Sequence, residues 1–493
     1  MTDHIDSEKS NRVGIIDVGS NSIRFVVFDN SMRMPNYFYN EKVMAGLGLD
    51  LAQTGKLHPK GKERALRALV RFGKIAKSMN LISLKAVATE AVRRASDGLI
   101  FCQTVLDKTG ISLVPISGDE EAMLSAQGVL LGWPKASGLV CDIGGASMEL
   151  AELNSGKIKR LCSSKLGPMT VLGKFSDPEK QWDYINSKFT HLINGFSEKT
   201  DALFLVGGAW RALAGLQMIR AGCPISVVHG YAVKPSDLFP TLHEVVKQTP
   251  EVLWENLNVS NSRIKLLPIA AKILLKILDS FEIEKIIFSN YGLREGLLYK
   301  SMPLSVRLND PLIGAARIFE FNKARFPGFG DILYKWILPL FIDFDETSRR
   351  LIHAVCLIHD IHWRTHPDCR SEVCFESAIH INLGGLDHTG RVFLAWSLLH
   401  RYKAKPILKK HMKISKLLST SQISLAETIG YLIRLGEVLS SSSSNHMGEL
   451  LLTPNTLILK LDIKNKKIFG EGIAKRLQLV ANSMDRSASL DYV

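Results

Sequence analysis

Residues 138–150 read Gly-Leu-Val-Cys-Asp-Ile-Gly-Gly-Ala-Ser-Met-Glu-Leu. Leu139, Val140 and Cys141 form an apolar run that reads as a buried strand ending at Asp142. Gly144 and Gly145 then permit a tight turn in which backbone N–H groups converge on an anion. Ser147 adds a hydroxyl donor and Glu149 a carboxylate, and apolar residues resume at Met148, Leu150 and Leu153. Strand, acid, glycine turn, hydroxyl and second strand make a phosphate hairpin with a metal-binding acid at its mouth. An ordinary hairpin with a surface turn reads similarly, so the stretch alone does not decide the matter.

A second copy does. Residues 14–28 read Gly-Ile-Ile-Asp-Val-Gly-Ser-Asn-Ser-Ile-Arg-Phe-Val-Val-Phe. Aligning Asp17 with Asp142 puts Gly19 on Gly144, Ser22 on Ser147 and Phe25 on Leu150. Repetition of a whole supersecondary unit is much harder to obtain by chance than one motif. Two facing copies clamp a phosphate chain from both sides, with Asp17 and Asp142 placed to hold Mg²⁺ directly or through water. Glu149 is the third candidate ligand. The phosphate contacts expected are Ser20, Asn21 and Ser22 from the first loop and Gly144, Gly145 and Ser147 from the second. Gly207 and Gly208 form a third glycine turn that leads into a helix, whose N-terminus suits a phosphate.

The chain carries further motifs in order: Ala88-Thr-Glu-Ala-Val-Arg-Arg-Ala95, Ile116-Ser-Gly-Asp-Glu-Glu-Ala122, Val228-His-Gly-Tyr231, Arg263 before a helix, and Ser289-Asn-Tyr-Gly-Leu-Arg-Glu-Gly296. Across roughly residues 12–300 the chain resembles the exopolyphosphatase/guanosine pentaphosphate phosphohydrolase (Ppx/GppA) family of the actin-like (sugar kinase/Hsp70/actin) ATPase superfamily. Two departures from that family's pattern are Ala146, where glycine is common, and Ala209, where threonine is frequent. The resemblance implies two actin-like (ribonuclease H-like) α/β domains flanking a phosphate cleft, plus a mostly helical HD-like C-terminal domain. The boundaries expected are 11–135, 136–305 and 310–493, the last with a short terminal α/β segment. It also implies that the second Glu of the Ser-Gly-Asp-Glu-Glu motif activates water. That is Glu121, with Glu120 as the alternative, since an acid at a helix start also compensates the helix dipole. Arg93 is the expected cation for the developing charge, because a guanidinium presents a planar fork to phosphate oxygens.

The pass along the chain agrees with an α/β protein. Strands are expected at 84–88, 112–116, 202–206 and 286–288. Helices are expected at 60–79, 99–109, 117–131, 210–219, 236–248, 263–281 and 293–299. Residues 133–137 read as a hinge and 307–311 as a linker. Residues 312–445 read as nearly all helix, 440–444 as a serine loop, 450–463 as two strands and 471–483 as a closing helix. Eight of the 14 histidines lie between His353 and His411. His359-Asp360 and Asp387-His388 are reminiscent of an HD hydrolase, although a helix-packing role suits them better than a metal site.

The chain has 493 residues, 46% hydrophobic and 22% charged, with a formal net charge of +14. These are globular values, and the basic balance favours polyanionic partners. Mg²⁺ is the expected cofactor and inorganic polyphosphate the expected substrate. Guanosine pentaphosphate is the alternative, because both present a terminal phosphoanhydride. A regulatory protein that responds to nucleotides without turnover is a rival of another class. No dedicated nucleic-acid motif stands out, and a homodimer is left open. The basic strip Arg401–Lys416 reads as solvated surface, or else as a track for a long polyphosphate. The polar first ten residues, the scattered seven cysteines and the lack of an apolar run of membrane length point to reduced thiols in the cytoplasm and no membrane partner.

Overall fold

The computed structural model describes residues 12–29, 33–248, 264–402, 409–440 and 447–493. Arg263, Lys403, Lys405 and Ser441–Ser444 lie outside them. The chain divides into two compact units, Met1–Asn309 and Asp310–Val493.

The first unit contains two sheets. β1 (Val13–Val18), β2 (Ile23–Phe28), β3 (Tyr37–Val43), β4 (Ser83–Ala88) and β5 (Leu113–Pro115) form a five-stranded sheet in the order β3-β2-β1-β4-β5. β6 (Gly138–Ile143), β7 (Met148–Asn154), β8 (Lys157–Ser164), β9 (Lys199–Val206), β10 (Ala232–Val233) and β11 (Glu282–Ser289) form a six-stranded sheet in the order β10-β11-β9-β6-β7-β8. Apart from β10, the two sheets repeat one pattern. An antiparallel meander of three strands is continued by two strands parallel to the first. β8 is not among the strands expected from sequence, because its Lys-Ile-Lys-Arg opening carries its alternation mostly in charged residues.

The helices that bear on the site are α1 (Pro59–Ser78), α2 (Glu90–Arg94), α3 (Gly118–Gly132), α4 (Gly208–Arg220), α5 (Leu267–Ser280) and α6 (Leu293–Ser301). α1 covers one face of the five-stranded sheet through Leu69 and Phe72. α4 and α5 cover one face of the six-stranded sheet. α3 lies between the sheets. Its Leu124 and Leu131 pack with Val13, Ile15, Val26 and Phe28 of the first sheet, and its Val129 and Leu130 with Val140 and Phe204 of the second. α6 packs beside it, and the two backbones nearly touch. A Cβ on Gly296 would stand 1.8 Å from the Leu124 carbonyl oxygen, and one on Gly128 would stand 2.3 Å from that of Gly292.

Alternation along the strands then sets the acids. Val13 and Ile15 face α3, so Asp17, two residues on, shares that face. Val140 likewise puts Asp142 on the side of α3. The short linker expected at 307–311 is partly helical: Leu304–Leu308 forms a turn of helix, with Arg307 donating to the Met302 carbonyl at 2.9 Å and the Lys300 carbonyl at 2.7 Å.

The second unit opens with α7 (Pro311–Lys323), α8 (Phe329–Ile337), α9 (Glu346–Ile358), α10 (Pro367–His380), α11 (His388–Tyr402) and α12 (Thr420–Ser440). It closes with β12 (Glu449–Leu452), β13 (Thr456–Leu461), α13 (Glu471–Ser483) and β14 (Ser487–Tyr492). β14 was not expected. Its Ser-Ala-Ser-Leu-Asp-Tyr sequence has little strand propensity, and its pairing parallel to β13 supplies the order. Two more expectations meet the core of this unit. Arg401, read as part of a surface strip, is buried, with its guanidinium on Asp360 at 3.2 Å and Glu437 at 2.9 Å. The charges of Asp360 and Glu437, which Arg325 also pairs with, draw that arginine inward. Lys410 of the same strip is exposed and paired with Glu372 at 2.9 Å. His359 and Asp360 are buried, and His359 Nδ1 sits 2.7 Å from the Cys356 carbonyl. Among the described residues no group of three or more His, Cys, Asp or Glu side chains is placed to hold a metal. Asp360 is held in ion pairs with Arg325 at 2.7 Å and Arg401 at 3.2 Å. No described helix is long and apolar enough to cross a membrane.

Candidate active site

The two hairpins have one backbone. Asp17 pairs across the ladder with Arg24, and Asp142 with Glu149. In each turn the glycine N–H donates to the serine carbonyl at 3.0 Å, Gly19 to Ser22 and Gly144 to Ser147. The bracing repeats as well. Gly48 and Gly46 donate to the carbonyls of Ser20 and Asn21 at 2.8 and 2.9 Å. Met169 and Gly167 donate to the carbonyls of Gly145 and Ala146 at 2.8 and 3.3 Å. Tying the carbonyls back leaves the turns to offer donors, which is the arrangement an anion needs. The loops face one another closely: a Cβ on Gly145 would lie 3.7 Å from that of Ser20.

Between them lies a polar cleft of about 220 Å³. The loop residues Ser20, Asn21, Ser22, Gly144, Gly145, Ser147, Gly207 and Gly208 all line it, together with Asp17, Asp142 and Glu121. Gly207 has φ +123°, and a Cβ there would stand 2.7 Å from the Ile143 carbonyl, so the third turn requires glycine. It opens α4, a 13-residue helix whose N-terminus faces the same cleft. Ala209 lines the cleft without offering a hydroxyl.

Asp142 accepts a hydrogen bond from Ser125 of α3. Burial pushes its carboxyl up to about 6 despite that bond, with Asp17 adding to the rise. Glu149 lies behind the second loop, almost wholly buried, accepting from Ser163 Oγ at 3.0 Å through Oε1. Its Oε2 is buried with no hydrogen-bond partner. Burial and the charge of Asp142 raise Glu149 to about 8. Burial also raises Asp17, which Arg294 opposes from 3.8 Å.

α3 decides between the paired glutamates. Ser117 and Glu120 form a reciprocal capping box, Ser117 Oγ accepting from the Glu120 N–H at 3.1 Å and Glu120 Oε2 from the Ser117 N–H at 2.8 Å. Glu120 is thereby held on the exposed side of the helix. Glu121 is 7% exposed and reaches the cleft. Burial, then the charges of Glu149 and Asp142, push it well above the usual carboxylate range, while Arg93 pulls the other way. Arg93 does not line the cleft. It stands behind Glu121, 3.5 Å from Oε2, donating to the Ile116 carbonyl at 2.5 Å and bonded to Glu90. Arg94 turns to the other oxygen of Glu90 at 3.4 Å.

Sequence reasoning assigned no role to Arg24, Lys42, Arg211 and Arg294, which line the cleft. The repeat alignment sets Arg24 opposite Glu149 and was the available signal for it. Arg294 stood inside the quoted Ser289–Gly296 motif. One wall of the cleft is acidic, with Asp142 and Glu121 lining it, and these cations line the same cleft.

Comparison with known proteins fits this geometry. The Ppx/GppA phosphatase family model matches residues 26–305, and the exopolyphosphatase C-terminal model matches residues 313–490. The chain belongs to the Ppx/GppA phosphatase family. Retrograde regulation protein 2 of Saccharomyces cerevisiae is 24% identical over 445 residues, 80% of this chain and 73% of that protein. Exopolyphosphatase 1 of Mycobacterium tuberculosis is 32% identical over 143 residues, 28% of this chain and 42% of that one. An exopolyphosphatase from Cytophaga hutchinsonii has a similar fold, with TM-score 0.54 and 24% identity over 59% of this chain and 97% of that one. The Aquifex aeolicus Ppx/GppA enzyme is similar over 59% of this chain and 99% of its own, with TM-score 0.51 and 24% identity. The α/β architecture of the first unit and the helical character of the second are those of this family, and the chain is a phosphatase by membership.

Proposed function

We propose that the protein removes the terminal phosphate of inorganic polyphosphate with a bound Mg²⁺. The observation that carries this reading is the cleft itself: two braced phosphate turns facing each other, with buried carboxylates on one wall and arginines nearby. No aromatic side chain is among the described residues lining it. A guanine base would find no aromatic ring to stack on there, and this favours a bare phosphate chain over guanosine pentaphosphate, which stays the alternative substrate.

Asp142 and Glu149 are the fitting pair for the metal, with Asp17 as a third. The partnerless Oε2 of Glu149 and the raised carboxyls mark a site short of positive charge. Mg²⁺ keeps several waters and takes one or two protein carboxylates plus substrate phosphates, so a cluster of three ligands is not required. When bound, the metal gathers and neutralises phosphate oxygens. Glu121 takes a proton from water, whose oxygen bonds to the terminal phosphorus as the bridging P–O bond breaks. The shortened chain departs with the electron pair of that bond. A carboxyl held above its ordinary range suits a base working near neutrality. Arg93 orients Glu121 from behind, and Ser20, Asn21, Ser22, Gly144, Gly145, Ser147, Gly207 and Gly208 hold the phosphates. Arg24, Lys42, Arg211 and Arg294 offset the charge of the rest of the chain.

The test is to incubate the purified protein with Mg²⁺ and either long-chain polyphosphate or guanosine pentaphosphate and to measure phosphate released. Faster release from polyphosphate supports the reading. A second reading rests on the yeast relative that spans 80% of this chain and is named for regulation. In that reading the cleft binds a phosphorylated ligand and does not turn it over, and tight binding without released phosphate would establish it.

A further inference from the structure

A second cavity lies directly behind the acidic wall of the cleft. Its volume is about 280 Å³, ample for an orthophosphate ion with its waters, and it opens to solvent. Arg93, Lys165, Glu90 and Asp119 line it, with Ser117, Ser163 and Ser164. Only one layer of side chains separates it from the cleft. Arg93 is 3.5 Å from Glu121, which lines the cleft. Ser163 donates to Glu149 at 3.0 Å.

Resting on the hydrolytic reading above, we propose that this cavity is the rear exit for orthophosphate. An in-line attack puts the water, and so Glu121, on the side of the terminal phosphorus away from the chain. The freed phosphate is therefore formed against Glu121, with the shortened chain still filling the way it came in. An enzyme that keeps hold of its polymer cannot release phosphate past that polymer. The wall made by Glu121 and Glu149 has this cavity on its far side, reached through Arg93 and Ser163.

The chemistry of the hollow suits passage more than storage. Arg93, Lys165 and the hydroxyls of Ser117, Ser163 and Ser164 attract phosphate. Glu90 already balances Arg93 through their ion pair, and Asp119 adds a second negative charge to the lining, so the net attraction is small. The 3.5 Å separation of Arg93 from Glu121 is long for a hydrogen bond, while its bonds to the Ile116 carbonyl and to Glu90 must loosen for the guanidinium to swing aside. Lys165 stands at the outer part of the hollow and is exposed. It touches no residue assigned to the chemistry.

The experiment compares Lys165→Glu, Ser164→Trp and Lys165→Arg with the wild-type protein on long-chain polyphosphate and Mg²⁺. A fluorescent phosphate sensor follows release, and rapid quench follows bond cleavage. Charge reversal or blockage is expected to slow release about tenfold, the low end of what charge does to a steered passage. Cleavage in the first turnover stays at the wild-type rate, so a burst of cleaved but unreleased phosphate appears, and Lys165→Arg behaves as wild type. Wild-type turnover with no burst and unchanged release in both Lys165→Glu and Ser164→Trp overturns the exit. No phosphate from the wild-type protein on either substrate overturns the hydrolytic reading, and the exit with it.

Discussion

Across the ladder from Asp17 stands Arg24; at the matching position across from Asp142 stands Glu149. The turns between them close with the same hydrogen bond at the same length, and each is braced from outside by a pair of backbone N–H groups. The duplication has thus kept every backbone device and changed the charges. One hairpin has an acid beside an arginine, with Arg294 close by at 3.8 Å. The other has two acids and a third, Glu121, arriving from α3. Binding an anion needs the backbone twice. Breaking a phosphoanhydride needs the two sides to differ, since one side must collect metal and activate water while the other holds charge still.

The strongest test of that asymmetry is Glu121→Gln. It keeps size and hydrogen bonding and removes the base, so kcat is expected to fall about 10²–10⁴-fold. Polyphosphate binding should change little, because an anionic neighbour has been removed. Turnover near wild type would take the role from Glu121, and the capping box leaves Glu120 badly placed to inherit it.

The next test sets the two aspartates against each other. Asp142→Asn is expected to raise the Mg²⁺ concentration for half-maximal rate by at least the ~10–100-fold that losing an outer-shell partner costs a metal site. Asp17→Asn should move it less, because Asp17 already shares its charge with Arg294. Metal titrations of initial rate check both. Equal shifts would mean that the hairpins contribute alike and the charge difference is incidental.

Much of this was legible in sequence because it is local. A phosphate turn needs glycines at fixed offsets from an acid and a serine, and two copies at one spacing identify each other. The choice between Glu120 and Glu121 was also on the page: Ser117-Gly-Asp-Glu120 is a capping box, which occupies the first glutamate and frees the second. Arg24 and Arg294 were harder. An arginine in a strand or early in a helix reads as solvated, and only the closure of two sheets around α3 brings both to one cleft. Arg401 shows the reverse error. Sequence places it in a basic run, while the partners that bury it, Asp360 and Glu437, lie 41 and 36 positions away along the chain, counting from the numbering. β14 was missed for a similar reason, since its strand state comes from β13 and not from its own residues.

The acid pair of the second hairpin also predicts a pH effect. A carboxyl whose folded pKa is raised holds its proton more tightly folded than unfolded. The stability it contributes is complete below its ordinary value, 3.8 for Asp142 and 4.5 for Glu149, and is lost as pH rises through about 6 and about 8. In chelator, Tm should therefore fall as pH rises across that window. Saturating Mg²⁺ should flatten the fall, because a bound cation favours the ionised pair. Asp142→Asn should remove the lower part of the slope. Calorimetric scans from about pH 5 to 8.5 check this, and a Tm that rises through the window in chelator would contradict it.

The smallest effect is expected where the hairpins differ by one side chain. Asn21 of the first loop matches Ala146 of the second, a position where the resembled family commonly has glycine. If that glycine were needed for a left-handed backbone, Ala146 would be strained and Ala146→Gly would relieve it. Ala146 is not among the described non-glycine residues with positive φ, which are Asn80, Ser155 and Asp485. Its carbonyl is fixed by Gly167 and by Thr170 Oγ1 at 2.8 Å, and its methyl is nearly buried. The tight approach is made instead by Gly167, where a Cβ would lie 2.2 Å from the Ala146 carbonyl carbon. Ala146→Gly should then leave kcat and KM unchanged and lower stability by about 0.4–1 kcal/mol, through the freedom glycine adds to the unfolded chain. Gly167→Ala should disturb the second loop and lower activity. A gain of activity in Ala146→Gly would mean that the second loop is constrained where the first is not, and that the backbones of the two hairpins are less alike than their hydrogen bonds.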